Sequence, residues 1–287
     1  MTGRPKDRAG SATGTAFTWR EYGAELAGTA ILLFGGLSAV SLNFGAGSPI
    51  VEALPSARLR LLLTAVLFAG TGTAVVYSPL GRRSGAHLNP AVTLAFLLEG
   101  KIPWRAGLGY VGVQFLGASL AAAAVVLAWR GLAISARAGM TEIRSGLSLA
   151  EAAALELGMT AALVLLILTL LSTRKTAPFT GAAAGLLVAA FVFLEAPLTG
   201  TSLNPARSFG PALVMGDFGQ YPFYLVVPLA GGAAGAAVYR FLGRLLGRNP
   251  SPLCGKLRHP RGGAPCPFRG CRYRHLPAPE AGGEGPG

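Results

Sequence analysis

Ser84 to Thr93 read SGAHLNPAVT, and Thr199 to Val214 read TGTSLNPARSFGPALV. Each stretch carries Asn-Pro-Ala, as Asn89-Pro90-Ala91 and Asn204-Pro205-Ala206. Small residues come first, then Asn, then Pro, then an apolar run. Asn at a helix start accepts a bond from an orphan amide. Pro at the first helical position forfeits nothing, because its amide would be unpaired anyway. Each stretch therefore begins a helix. The first apolar run, Ala91 to Leu98, stops at Glu99-Gly100-Lys101, and the second, Ala206 to Met215, stops at Gly216-Asp217. About 10 helical residues rise about 15 Å, half of a hydrocarbon core of about 30 Å. Two such half-helices entering from opposite sides would meet tip to tip at the midplane. Irregular backbone at that depth is tolerated only where it is buried in protein or lines a water-filled path, and broken helices at matching places in two halves point to a substrate path.

Working outward, long apolar stretches flank both boxes: Tyr22 to Ser41, Leu59 to Tyr77, Leu108 to Trp129, Leu149 to Leu171, Phe179 to Phe193 and Tyr221 to Leu242. The fifth is short unless it continues past Glu195, which reads as interfacial. Only 13% of the 287 residues are charged, against about 25% in soluble domains. The expected fold is an all-α membrane protein with six transmembrane helices and two re-entrant half-helices. Glu25-Leu26-Ala27-Gly28-Thr29-Ala30 in the first span resembles Glu156-Leu157-Gly158-Met159-Thr160-Ala161 in the fourth. That similarity marks two repeats, about 19–130 and 148–247, joined by a long crossing loop. Three spans per repeat is odd, so the second is inverted in the membrane.

The paired boxes in a six-span chain resemble the aquaporin (major intrinsic protein) family over roughly Trp19 to Gly247, as a bacterial-type member near the metalloid- or small-solute-permeable branch. The resemblance implies a passive channel that conducts water or small uncharged solutes and excludes protons and ions. It also implies a homotetramer with one pore per subunit, no cofactor, and no enzymatic activity. Asn89 and Asn204 would offer side-chain donors at the centre, where both helix N-termini aim their positive ends. Carbonyls of Gly85, Ala86 and His87, and of Gly200, Thr201 and Ser202, would line the half-pores. Glu25 and Glu156, expensive inside a span, would tie down re-entrant backbone. Arg207 would form the outer filter with Val192 and Thr201. The fourth filter position falls on Ala69 by ungapped count, or on Phe68 if one residue is inserted near Pro79-Leu80. An Ala/Val/Thr/Arg ring is wide and largely apolar, a Phe/Val/Thr/Arg ring narrower, so glycerol, urea or arsenite-like solutes stand beside water as cargo.

The net charge is +13. With both termini in the cytoplasm of a plasma-membrane protein, most Lys and Arg fall on the cytoplasmic side, as the positive-inside bias requires; nucleic acid is not implied. Residues 1–18 read as a disordered basic arm, and 248–287 as a disordered basic tail near anionic lipid. The tail holds Cys254, Cys266, Cys271 and His275, a weak zinc pattern. Two further classes fit six spans: a coupled secondary transporter and a closed structural membrane protein. The first needs paired ionisable groups at the midplane, where only two Asn are read.

Overall fold

A computed structural model describes residues 16–259 and 266–273, and contains no strand among them. Eleven α-helices follow in order: α1 (Trp19–Phe44), α2 (Pro49–Ala53), α3 (Ala57–Tyr77), α4 (Pro79–Ser84), α5 (Pro90–Leu98), α6 (Trp104–Trp129), α7 (Gly131–Ser135), α8 (Leu149–Leu170), α9 (Thr180–Thr199), α10 (Pro205–Met215) and α11 (Tyr221–Leu245). Of these, α1, α3, α6, α8, α9 and α11 are long and apolar enough to cross a membrane. Six crossings return the chain to the side where α1 begins, here called the terminal face; the opposite side is the far face. Large apolar side chains such as Leu67, Leu116, Leu186 and Leu194 point outward, whereas Glu25, Gln114, Glu156 and Thr160 are buried. That pattern suits a bundle whose surrounding solvent is hydrocarbon.

Both repeats open with the same device. Thr18 caps α1 and Glu21 returns the favour in a capping box, and Ser148 with Glu151 does the same for α8. Within repeat one α1 packs on α6, within repeat two α8 packs on α11, and α3 against α9 joins the halves. The half-helices cross over: α5 leans on α11, and α10 leans on α6. At 9 and 11 residues they rise about 14 and 16 Å, so neither spans the core alone. Two glycines permit the crossings. A Cβ on Gly232 of α11 would stand 2.7 Å from the Ala91 carbonyl oxygen of α5, and one on Gly210 of α10 would stand 2.5 Å from the Ala118 carbonyl oxygen of α6. Arg240 of α11 closes the C-terminal end of α5. Its Nε sits 2.7 Å from Glu99 Oε1, and its guanidinium also donates to the Leu98 carbonyl, a cation where the helix dipole is negative.

Several details depart from the sequence reading. The fifth span runs past Glu195 to Thr199, and Glu195 is buried rather than interfacial. Its carboxylate accepts from the Thr199 and Thr201 hydroxyls at 2.5 and 2.6 Å, which balances the burial. The crossing loop from Gly131 to Ser148 is not featureless: α7 and a 3₁₀ turn at Arg137–Gly139 fold it back over the bundle. The short helices α2 and α4 were legible in principle, since each starts at a Ser-Pro pair, Ser48-Pro49 and Ser78-Pro79, with Ser as the cap. Residues 1–15 of the basic arm lie outside the described residues. In the tail, residues 253–258 do not stand away from the bundle but cross its terminal face, bonded to both repeats.

Gly232→Val forces a branched side chain into the Ala91 carbonyl of α5. Overpacking of this kind costs about 1–3 kcal/mol, so thermal unfolding of the detergent-solubilised chain should shift down by several degrees. An unchanged transition would mean that α5 and α11 are not in contact.

Candidate functional site

The two Asn-Pro-Ala loops are conformational twins. Gly85 and Gly200, four residues before each Asn, have φ of 101° and 79°; Ala86 and Thr201, three before, 54° and 48°; Leu88 and Leu203, one before, 54° and 56°. Non-glycine residues at positive φ are strained by roughly 1–3 kcal/mol each and persist only where surroundings over-determine them. Here two buried carboxylates do so. Glu25 Oε1 accepts from the Leu88 amide at 2.5 Å and from Gln114 Nε2 at 2.8 Å. Glu156 accepts from the Ser202 and Leu203 amides at 2.7 and 3.0 Å, and its Oε1 lies 2.7 Å from Thr199 Oγ1, whose single proton goes to Glu195. Gln114, whose role the sequence leaves open, also donates to Thr93 Oγ1 of α5 at 3.0 Å.

The Asn side chains bridge the loops reciprocally. Asn89 Nδ2 donates to the Leu203 carbonyl at 2.8 Å, and Asn204 Nδ2 donates to the Leu88 carbonyl at 2.8 Å. Their oxygens face back to their own helices: Asn89 Oδ1 accepts from the Ala91 amide, and Asn204 Oδ1 from those of Ala206 and Arg207. Each side-chain amide carries two protons. One is spent across the dyad, and the other remains.

A cavity of about 750 Å³ runs past this clasp, from Ala57 and Arg58 at the far face to Gly181 and Leu257 at the terminal face. Asn89, Asn204, Arg207, Val192, Thr201, Ala69, Phe68, Ala86, His87, Gly200 and Ser202 all line it. Gly85 does not; its carbonyl accepts the Leu257 amide at 3.0 Å. On the far side of the clasp the buried Arg207 donates to the Gly139 carbonyl at 2.6 Å, and its Cζ lies 5.6 Å from the Phe68 ring centroid. Phe68 also fills the gap left by Gly36 of α1, where a Cβ would come within 2.4 Å of the ring. The hydroxyl proton of Thr201 is committed to Glu195. Thr141 of the crossing loop donates to Ser208 at 2.8 Å, and Ser208 meets Ser202 at 2.7 Å. Gly139, Thr141 and Glu195 were not singled out as site residues. Gly139 contributes only a carbonyl, which has no sequence signal, whereas Glu195 was visible as an acid six residues before Thr201.

On the terminal side, the His87 ring stacks on Phe96, with Nδ1 3.2 Å from Thr93 Oγ1 and Nε2 2.9 Å from the Gly255 carbonyl. The tail thus reaches the first Asn-Pro-Ala loop. Cys254, Cys266 and Cys271 gather there, all buried and free of disulfides. Their fourth companion is His259; His275 of the sequence pattern lies outside the described residues. Burial pushes the Cys254 thiol up, while hydrogen bonds from Cys254 and Cys266 hold Cys271 well below the usual thiol range.

The sequence profile described as "Major intrinsic protein" matches residues 12–239. The lens fiber major intrinsic protein of Lithobates pipiens is 34% identical over 226 residues, covering 78% of this chain and 81% of that one. Aquaporin NIP1-1 of Zea mays is 34% identical over 220 residues, covering 76% and 73%. In solved structures, the aquaglyceroporin from Plasmodium falciparum superposes with a TM-score of 0.61 at 24% identity, covering 77% of this chain and 93% of that one, a likeness of fold.

Removing a carboxylate should separate the two loops energetically. Glu156→Ala strands two backbone amides, each worth about 1–3 kcal/mol when buried and unpaired; Glu25→Ala strands one, because Gln114 keeps Thr93. Thermal unfolding in detergent should therefore fall further for Glu156→Ala. The reverse order would contradict the bonding described.

Proposed function

As the chain belongs to the major intrinsic protein family, whose members are passive channels for water and small uncharged solutes, we propose that Asn89, Asn204 and Arg207 govern what passes through the cavity. The observation that carries this is the reciprocal Asn clasp. It holds the two half-helix tips together, with their positive ends converging on the bore. The remaining amide proton of each Asn is a donor for a passing oxygen. A water molecule that accepts from both cannot relay a proton through that point, and a cation meets two helix N-termini. Cation exclusion is reinforced by Arg207, the guanidinium held beside the bore by Gly139.

The filter consists of Arg207, Val192, Thr201 and Ala69, with Phe68 behind the arginine as its cation–π support. With the Thr201 hydroxyl turned to Glu195, the ring offers Arg207 as its chief donor against apolar Val192 and Ala69. Such a ring suits solutes wider than water that carry few hydrogen-bonding groups, such as glycerol, urea or a neutral metalloid hydroxide. The similarity to NIP aquaporins supports that reading. Glu25 and Glu156 serve as structural acceptors rather than proton carriers: Glu25 Oε1 and both oxygens of Glu156 accept from backbone amides of the two loops. Both termini lie on the cytoplasmic side of the plasma membrane by the Lys and Arg distribution. The channel assembles as a homotetramer, as the family resemblance implies.

Stopped-flow light scattering on proteoliposomes tests the filter. Val192→His adds a bulky donor to the ring and should lower glycerol, urea and arsenite flux several-fold while water flux changes little. An unaltered solute profile would remove Val192 from the filter. Arg207→Val should raise cation leak, read as dissipation of an imposed potential, and a tight variant would move the charge barrier elsewhere.

A further inference from the structure

Cys254, His259, Cys266 and Cys271 each offer one ligand atom, and all four atoms lie within 4.8 Å of one another. Zinc–sulfur bonds of about 2.3 Å and zinc–nitrogen bonds of about 2.0 Å place tetrahedral ligands roughly 3.5–3.8 Å apart. The Cys254 and Cys266 sulfurs are 3.5 Å apart and unbridged. Small side-chain rotations therefore close the set around one ion. Three thiolates and an imidazole select a soft or borderline cation over calcium or magnesium. The surroundings are built for it. The His259 ring lies flat on Tyr273, centroids 4.6 Å apart, and bonds to Cys271. A three-thiolate, one-imidazole centre on a divalent ion carries one net negative charge, and the buried ammonium of Lys101 interacts electrostatically with Cys254 and Cys271.

The four ligands close two short loops, 255–258 and 267–270, and the first reaches the mouth of the cavity. The first is a strap. Leu253 N bonds to Leu171 O at 2.8 Å and Leu257 N to Gly85 O at 3.0 Å. Gly255 O meets His87, Lys256 Nζ donates to Arg82 O at 2.8 Å, and Arg258 donates to Pro178 O at 3.2 Å. These partners belong to both repeats, so the strap crosses the opening between them, and Leu257 forms part of the cavity wall. The second loop carries Phe268, fully buried 5.6 Å from the His87 ring. A Cβ on Gly255 would fall 2.0 Å from the Phe268 ring, so the loops interlock. Apart from the cysteines and two prolines, Pro252 and Pro267, only Leu253, Leu257 and Phe268 are buried apolar side chains in the described tail. So few cannot order a Pro- and Gly-rich segment, and metal ligation is the usual substitute.

We infer that Cys254, His259, Cys266 and Cys271 bind one zinc-class divalent cation, and that the bound ion pins the strap across the terminal mouth and restricts passage. The restriction rests on the channel reading; the metal site stands apart from it.

Elemental analysis of the full chain purified without chelator should find one zinc per chain. It should be lost in Cys254→Ser/Cys271→Ser and in His259→Ala, and kept in His275→Ala. Cobalt loading should give a thiolate-to-metal absorption band only where the cysteines are intact. A chain that takes up no metal, or whose Cys254 and Cys266 are recovered as a disulfide, overturns the site. In proteoliposomes, stripping the ion with a membrane-permeant chelator should raise water flux several-fold in the parent. The double serine variant should start high and stay there, and Leu257→Gly should raise flux with the metal retained. Metal bound stoichiometrically with flux indifferent to its removal overturns the gate. No flux from any form, stripped or loaded, overturns the channel reading and the gate with it, while the metal count still decides the site.

Discussion

Everything in the bore depends on two hydrogen bonds that cross the internal dyad, Asn89 to the Leu203 carbonyl and Asn204 to the Leu88 carbonyl. Neither half-helix reaches across a bilayer, and each ends in irregular backbone that hydrocarbon would not tolerate. The clasp lets each loop satisfy the other. It can form only if Leu88 and Leu203 both adopt left-handed backbone, which turns their carbonyls toward the opposite loop. The strain of that conformation is offset by Glu25 and Glu156, whose carboxylates bind the amides of the same residues. A charge that would be prohibitive alone inside a span becomes part of the loop's backbone bonding.

Inverted repetition solves this problem twice with the same parts, and the functional interest lies where the halves diverge. Repeat two spends its additional polar groups on the far side. Glu195 holds Thr201, Gly139 holds Arg207, and the Thr141–Ser208–Ser202 chain steadies the loop. Repeat one spends them on the terminal side, where His87 joins Thr93 to the tail. One half thus sets a buried guanidinium beside the cavity and the other receives the tail. The same fold yields two unlike mouths because the crossing loop covers only one of them and the tail only the other.

What the sequence reading did not reach shares one cause. Glu195 reads as interfacial because its position near a span end is visible and its partners are not. Thr199 lies four residues on, a helical neighbour, but Thr201 returns only after the chain breaks at Gly200. The zinc pattern pairs three cysteines with His275, which lies outside the described residues; among those described it is His259 that stands beside the cysteines. Ala69 and Phe68, alternatives by count, both line the cavity; the Phe68 ring fills the gap at Gly36 and lies 5.6 Å from Arg207 Cζ.

What the chain order alone determined was periodic and local: six apolar spans, two Pro-started half-helices, caps at Asn89 and Asn204, and the repeat marked by Glu25 and Glu156. These follow from transfer energies and from the orphan amides of a helix start, which act within a few residues. Tertiary structure decided which carbonyl each Asn reaches, what holds Arg207, where Glu195 turns, and that His259 stands beside the cysteines. Those contacts join residues far apart in the chain, 116 positions for Asn204 and Leu88. Their geometry exists only once the helices have packed.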